Sequence, residues 1–242
     1  MSSQLHAMRR RRGKRAAATH APAEHHRDQR VAVVGLGRFG TSLAEELMRR
    51  GWDVLGIDSD ERLVQQHRDV LTHVVLADAT DEEVLRQLGV HEFPRAVVAI
   101  GTQIEASILT TSNLLELGVR NLWAKAISRQ HGKILERLGA HHVILPEHEM
   151  GERVAHLVTG RMLNFIEFDD DYALVKTIAP RSTTGMPLSE SGVRREHGVT
   201  VVGVKRPGQQ FTHATAETVV HPGDVIVVTG RTAAVEAFAE LT

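Results

Sequence analysis

Val31-Ala32-Val33-Val34-Gly35-Leu36-Gly37-Arg38-Phe39-Gly40, followed by an acid at Asp58, is the stretch on which the fold turns. Four small or β-branched apolar residues in a row suit a strand buried on both faces, as in a parallel sheet. The strand runs straight into glycines with GxGxxG spacing. Gly35 allows a tight turn, Gly37 lets backbone N–H groups approach a diphosphate, and Gly40 lets the next helix pack closely on the sheet. That helix, beginning near Phe39, aims the positive end of its dipole at the phosphates. Leu43, Leu47 and Met48 keep helical spacing before Gly51, and Val54 to Ile57 forms a second apolar strand ending in Asp58, 18 residues after Gly40. A carboxylate there accepts both ribose hydroxyls and repels a 2′-phosphate. The same residue could instead open the turn Asp58-Ser59-Asp60 and cap the next helix, but the full strand, loop, helix and strand context favours binding.

The chain has 242 residues, 42% of them hydrophobic, which suits one large or two modest globular domains. No apolar run approaches the roughly 18 residues of a membrane span. The N-terminus lacks the apolar core of a secretion signal, so a cytoplasmic location is expected. Without cysteine there are no disulfides, thiolate nucleophiles or Cys-based zinc sites. A net charge of −1 hides an asymmetry: residues 1–30 carry +6 and the other 212 carry −7. This tail, rich in Arg, Ala and His, is expected to be disordered. A solvated extension accounts for it as well as contact with anionic lipid or nucleic acid does.

Beyond Asp58, apolar strands at His73–Ala77, Ala96–Ile100, Asn121–Ala126 and His142–Leu145 alternate with helical patterns, giving six βα steps within about 115 residues. The expected fold class is α/β, a Rossmann-like doubly wound parallel sheet, with ligand at the carboxyl ends of its strands. Residues at those ends are therefore candidates. Asp78 fits an acceptor for an adenine amino group or a plain cap. Lys125 fits a phosphate neighbour or a snorkelling surface lysine. Glu147, just past Pro146, fits a ligand of a divalent cation or a favourable charge at a helix start, and from the residues alone the second is preferred.

From residue 147 the pattern changes. Met150, Val154, Leu157, Val158, Met162 and Phe165 recur at helical spacing, predicting a linking helix over 147–168 that is free to pair with a second subunit. After the acidic turn Asp169-Asp170-Asp171, residues 169–242 read as a small α+β module. Its expected strands are Ala173–Ile178, Thr200–Val204, His213–Val220 and Val225–Thr229, with a closing helix Val235–Leu241.

The ordered segments GLGRFG, GIDSD, ADATD, VVAIGT, WAKA and LPEHEMG resemble the RCK (regulator of potassium conductance) family, KtrA and TrkA type, over residues 31–242. The resemblance implies a nucleotide-binding RCK N-terminal domain over 31–146 and an RCK C-terminal domain over 169–242. It implies a homodimer that assembles into a ring, commonly octameric, at the inner face of the plasma membrane. The partner would be a potassium-translocating membrane subunit of KtrB or TrkH type, and no nucleic acid is expected. Its ligand would be ATP, ADP or NAD(H). Gly35, Gly37, Arg38, Phe39 and Gly40 would form the phosphate loop, and Asp58 the ribose acid. Asp78 and Ala79 would lie by the adenine, Gly101 by the nucleotide and Lys125 near the phosphates. Glu147 matches a glutamate that helps hold a cation between nucleotides. Val193 to Gly198 falls where some relatives bind cyclic di-AMP.

Two other functions compete. A small NAD-dependent oxidoreductase would need an acid or base beside the nicotinamide, and the short second domain offers no His, Tyr and Lys cluster for it. A redox-sensing DNA-binding regulator would need a recognition helix, and no helix-turn-helix pattern is present.

Overall fold

A computed structural model describes residues 29–159, 161–168 and 171–241. The expected basic tail, up to residue 28, lies outside the described residues, as do Asp169 and Asp170 of the acidic turn. The chain divides into two compact units between Ile144 and Leu145.

The first unit is a six-stranded, wholly parallel sheet of order β3-β2-β1-β4-β5-β6. Its strands are β1 (Arg30–Val34), β2 (Asp53–Asp58), β3 (His73–Leu76), β4 (Arg95–Val98), β5 (Leu122–Lys125) and β6 (His142–Ile144). Helices α1 (Arg38–Arg49), α2 (Glu61–His67), α3 (Glu82–Gln87), α4 (Ile104–Glu116) and α5 (Arg129–Leu138) make the crossovers. Strand β1 sits at the centre because its side chains can be covered on both faces, and Val31 to Val34 are all at most 3% exposed. Burying each valine there contributes about 1.5–3 kcal/mol relative to leaving it in water. Leu43, Leu47 and Met48 of α1 pack on that core together with Trp52. The order reverses between β1 and β4, and that crevice is where an open α/β sheet takes its ligand.

The second unit starts with α6 (Pro146–Thr159) and continues as a five-stranded antiparallel sheet of order β10-β9-β11-β8-β7. Its strands are β7 (Met162–Phe168), β8 (Tyr172–Ile178), β9 (Thr200–Lys205), β10 (Thr212–His213) and β11 (Val225–Arg231), with short helices α7 (Val193–His197) and α8 (Thr232–Ala239). One sheet face carries Ala173, Val175, Ile226 and Val228 into a core closed by Val235, Phe238 and Ala239 of α8.

Two elements differ from expectation. The linking helix predicted over 147–168 stops at Thr159, and Met162–Phe168 is a strand paired with β8. A register shift between Met162 and Asn164 adds a residue to β7, so Met162 and Phe165, three apart, both reach the core. That three-residue spacing imitates a helix. The strand predicted over 213–220 shrinks to Thr212–His213, because Thr215 and Thr218 close a turn on themselves through Thr218 N to Thr215 O (3.1 Å) and Thr215 N to Thr218 Oγ1 (2.8 Å). Helix α7 went unseen, since five residues between left-handed Gly192 and Gly198 are too few for a periodicity to register.

Candidate functional site

Strand β1 ends against the glycine loop, and each glycine meets a different environment. Gly35 has φ +95°, and a Cβ on it would stand 3.0 Å from the Ala99 carbonyl carbon and the Ile100 nitrogen of the loop after β4. A Cβ on Gly40 would collide with the Gly35 carbonyl oxygen. Gly37 has nothing within 4 Å, so its face of the loop is open. It is also the N-cap of α1, brings no side chain to cap it, and is followed by a first turn without acidic residues. Helices α2, α3 and α5 are capped by Asp60, Asp81 and Ser128. Helix α4, which follows β4 across the same crevice, has Gln103 at its N-cap without a capping bond. Two helix starts with free N–H groups thus flank the switch point, an arrangement that suits an anion.

Asp58 is half-buried at the tip of β2. Its Oδ2 accepts the Leu36 N–H at 2.5 Å and its Oδ1 accepts the Asp60 N–H at 2.8 Å. The acid therefore both opens the turn into α2 and ties down the glycine loop, while each oxygen keeps a lone pair for another donor. Asp78 holds its own turn: Oδ1 accepts the Thr80 hydroxyl at 2.7 Å and the Thr80 N–H at 2.9 Å. The hydroxyl first, then the N–H, pull its carboxyl below the ordinary aspartate range, so it stays ionised and accepts only. Ala79 beside it is buried.

Gly35, Asp58, Asp78 and Ala79 come together around a cavity of about 160 Å³ at the carboxyl ends of β1 to β4. That volume falls short of the ~300 Å³ at which small-molecule clefts begin, so it takes only part of a nucleotide. The phosphate-loop candidates Gly37, Arg38, Phe39 and Gly40 lie at the start of α1, outside its lining. Arg38 is exposed, with no hydrogen bond or ion pair among the described residues. Lys125 is buried beneath the loop, its Nζ 5.5 Å from the Phe39 ring centroid and 3.2 Å from where a Cβ on Gly101 would stand. Carboxylates thus border the cavity, and cations gather at the loop.

The cavity has a second wall that sequence reasoning missed: Ile100, and Gln103, Ala106 and Thr110 of the α4 segment. Spacings of three and four directly after Gly101-Thr102 put those three on one helical face, which was the available signal. Glu147 belongs to the other unit. It is exposed in the first turn of α6, where Glu149 accepts the Leu145 N–H at 3.1 Å. Among the described residues no three His, Cys, Asp or Glu gather into a metal site. The second unit has its own cavity of about 580 Å³, lined by Val193, Arg194, Arg195, Thr200, Ala214 and Thr215 among others. It includes part of the Val193 to Gly198 segment.

Known proteins align with this arrangement along nearly its whole length. The TrkA-N domain family matches residues 31–146 and the TrkA-C domain family residues 179–242. The Ktr system potassium uptake protein C of Bacillus subtilis (strain 168) is 37% identical over 208 residues, covering 86% of this chain and 94% of its own length. The Ktr system potassium uptake protein A of Vibrio alginolyticus is 33% identical over 204 residues, 84% of this chain and 93% of that protein. Among solved structures, the GsuK channel bound to NAD shares the fold with a TM-score of 0.62 at 17% identity, over 88% of this chain and 39% of that one.

Proposed function

The chain belongs to the TrkA-N and TrkA-C domain family, the family of the Ktr potassium uptake proteins, and from that membership we propose that it is a nucleotide-sensing regulatory subunit of a potassium uptake system. It acts from the cytoplasmic face of the membrane, by binding and shape change rather than by catalysis. The observation that carries the reading is the open, uncapped start of α1 at Gly37, beside a cavity bordered by Asp58 and Asp78. No capping side chain competes for those N–H groups, so they are available to a diphosphate.

In this reading ATP, ADP or NAD(H) places its adenosine in the cavity and its phosphates over Gly35, Gly37, Phe39 and Gly40. Asp58 receives the ribose, Asp78 and Ala79 flank the adenine, and Gly101 and Lys125 lie under the phosphates. A further phosphate adds charge, and Arg38, free and exposed, is the side chain placed to answer it. Nucleotides shift the protein between states only through such differential contact. Copies pair and assemble into a ring, octameric as in the resembling family, that pulls on or releases a potassium-translocating membrane subunit. A divalent cation at Glu147 would need further ligands from phosphates or another copy, since the described residues bring no three His, Cys, Asp or Glu together. Cyclic di-AMP is assigned to the second unit's cavity, whose arginines suit a phosphodiester.

Calorimetry with ATP and ADP, on the wild-type chain and on Arg38→Ala, tests this directly. The variant should lose its discrimination between the two nucleotides while adenosine binding stays measurable. An unchanged preference for ATP would sink the assignment of Arg38, and no binding of any adenine nucleotide by the wild type would sink the function.

A further inference from the structure

Helix α4 carries two hydroxyls that are fully buried and have no hydrogen-bond partner, Ser107 Oγ and Thr110 Oγ1. Their neighbour Thr111 is equally buried but satisfied, donating to the Ser107 carbonyl at 2.7 Å. A buried hydroxyl with no partner costs about 1–3 kcal/mol, and native proteins tolerate few of them. The two orphans differ in one respect. Ser107, though next to Ala106, is not among the residues lining that cavity, whereas Thr110 lines it with Asp58, Asp78 and Ala79.

We infer that the Thr110 hydroxyl is a base-reading group, given no partner by the protein itself and satisfied by the purine when a nucleotide binds. The inference rests on the nucleotide-binding function proposed above and adds a specificity determinant to it. Two kinds of partner then meet the base. Asp78, held ionised by Thr80, only accepts. Thr110 can donate as well as accept. A purine that presents an amino donor beside a ring nitrogen satisfies both together, and adenine does so. Guanine presents a carbonyl oxygen where adenine has the amino group, and that oxygen would face the carboxylate unpaired.

The test compares Thr110→Val, Thr110→Ser and Ser107→Ala with the wild type, using ADP and GDP as probes in calorimetry and measuring the unliganded melting temperature. Thr110→Val keeps the side chain's shape and removes the orphan hydroxyl. It should bind ADP about tenfold more weakly, as expected for one lost hydrogen bond with its partner left unmet, and narrow the ratio of ADP to GDP affinity. Its unliganded melting temperature should equal or exceed that of the wild type. Thr110→Ser should bind ADP within about twofold of the wild type, and Ser107→Ala should leave binding unchanged. Unchanged ADP affinity in Thr110→Val overturns the inference. A fall in unliganded melting temperature with an intact nucleotide ratio also overturns it, by showing a structural hydroxyl. Wild-type protein that binds neither nucleotide removes the parent reading along with this one, whereas wild-type binding with an indifferent Thr110→Val removes this one alone.

Discussion

At the scale of single residues, the three loop glycines separate folding from binding. Gly40 faces the Gly35 carbonyl and Gly37 faces nothing, although both belong to one motif. Gly40→Ala should therefore lower stability by about 1–3 kcal/mol, the usual cost of forcing a methyl into packed backbone, with nucleotide binding lost in consequence. Gly37→Ala, at φ −65°, meets no clash and should cost only the roughly 0.5–1 kcal/mol by which alanine is the poorer N-cap, less than Gly40→Ala. Its methyl instead occupies the approach to the N–H groups, so ADP affinity should fall by about tenfold or more. Paired thermal melts and titrations check both, and a Gly37→Ala as destabilised as Gly40→Ala would contradict the open face described for that residue. The motif letters were legible in the sequence, as were Asp58 and the Asp78 turn. Thr110 was not, because nothing in a Thr-Thr pair on a helix says that one hydroxyl will be bonded and the other left alone.

Individual elements record how far local pattern reaches. The alternation of β8 and β11, and the caps Asp60, Asp81 and Ser128, follow from side-chain chemistry close in sequence. Strand β7 does not, since its bulge makes a strand read with a helix's period. Helix α5 shows an element whose start depends on a buried titratable group. His131 is 2% exposed, its Nδ1 accepts the Ile127 N–H at 3.4 Å, and its Nε2 has no partner. Burial pushes its pKa below the ordinary 6.5. The folded protein thus keeps His131 neutral where the unfolded chain takes up a proton. Its contribution to stability is complete above pH 6.5 and is lost as pH falls below that value. Denaturant melts between pH 5 and 8 should show, for wild type minus His131→Gln, a difference that shrinks on acidification. A difference independent of pH would exclude this linkage.

For the molecule as a whole, α6 is the element through which copies would meet in the proposed assembly. Its inner side is fastened to the second unit by Arg153 to Asn164 at 2.5 Å, the stack of His156 on Phe165 at 4.0 Å, and His156 with Glu236 at 2.7 Å. Its other side leaves Met150, Val154 and Val158 exposed at 54%, 44% and 78%. An apolar stripe at four-residue spacing on a helix already seated is the surface the proposed assembly would cover. Val154→Asp should shift the mass seen by light scattering to smaller species without lowering the melting temperature of the second unit, and an unchanged mass would move the assembly surface elsewhere. The doubly wound order was readable because six βα steps admit few topologies. Of the proposed assembly, only an unclaimed apolar stripe was readable, since a single chain's sequence carries a surface but not its mate.

The bond from Leu36 to Asp58 also bears on descent. Exchanging an acid at this position for a small neutral residue is the simplest opening toward a 2′-phosphorylated ribose. Here the same exchange also removes one tie of the glycine loop, because the carboxylate proposed to exclude the phosphate is the one that holds the Leu36 amide, leaving the Gly35 N–H on the Ile57 carbonyl as the loop's tie to β2. In the proposed binding mode, a lineage drifting toward phosphorylated dinucleotides would loosen the loop at the first step, before a second change could restore it. In that mode, preference for a free ribose would be inherited with the loop's conformation, and selection for one would protect the other.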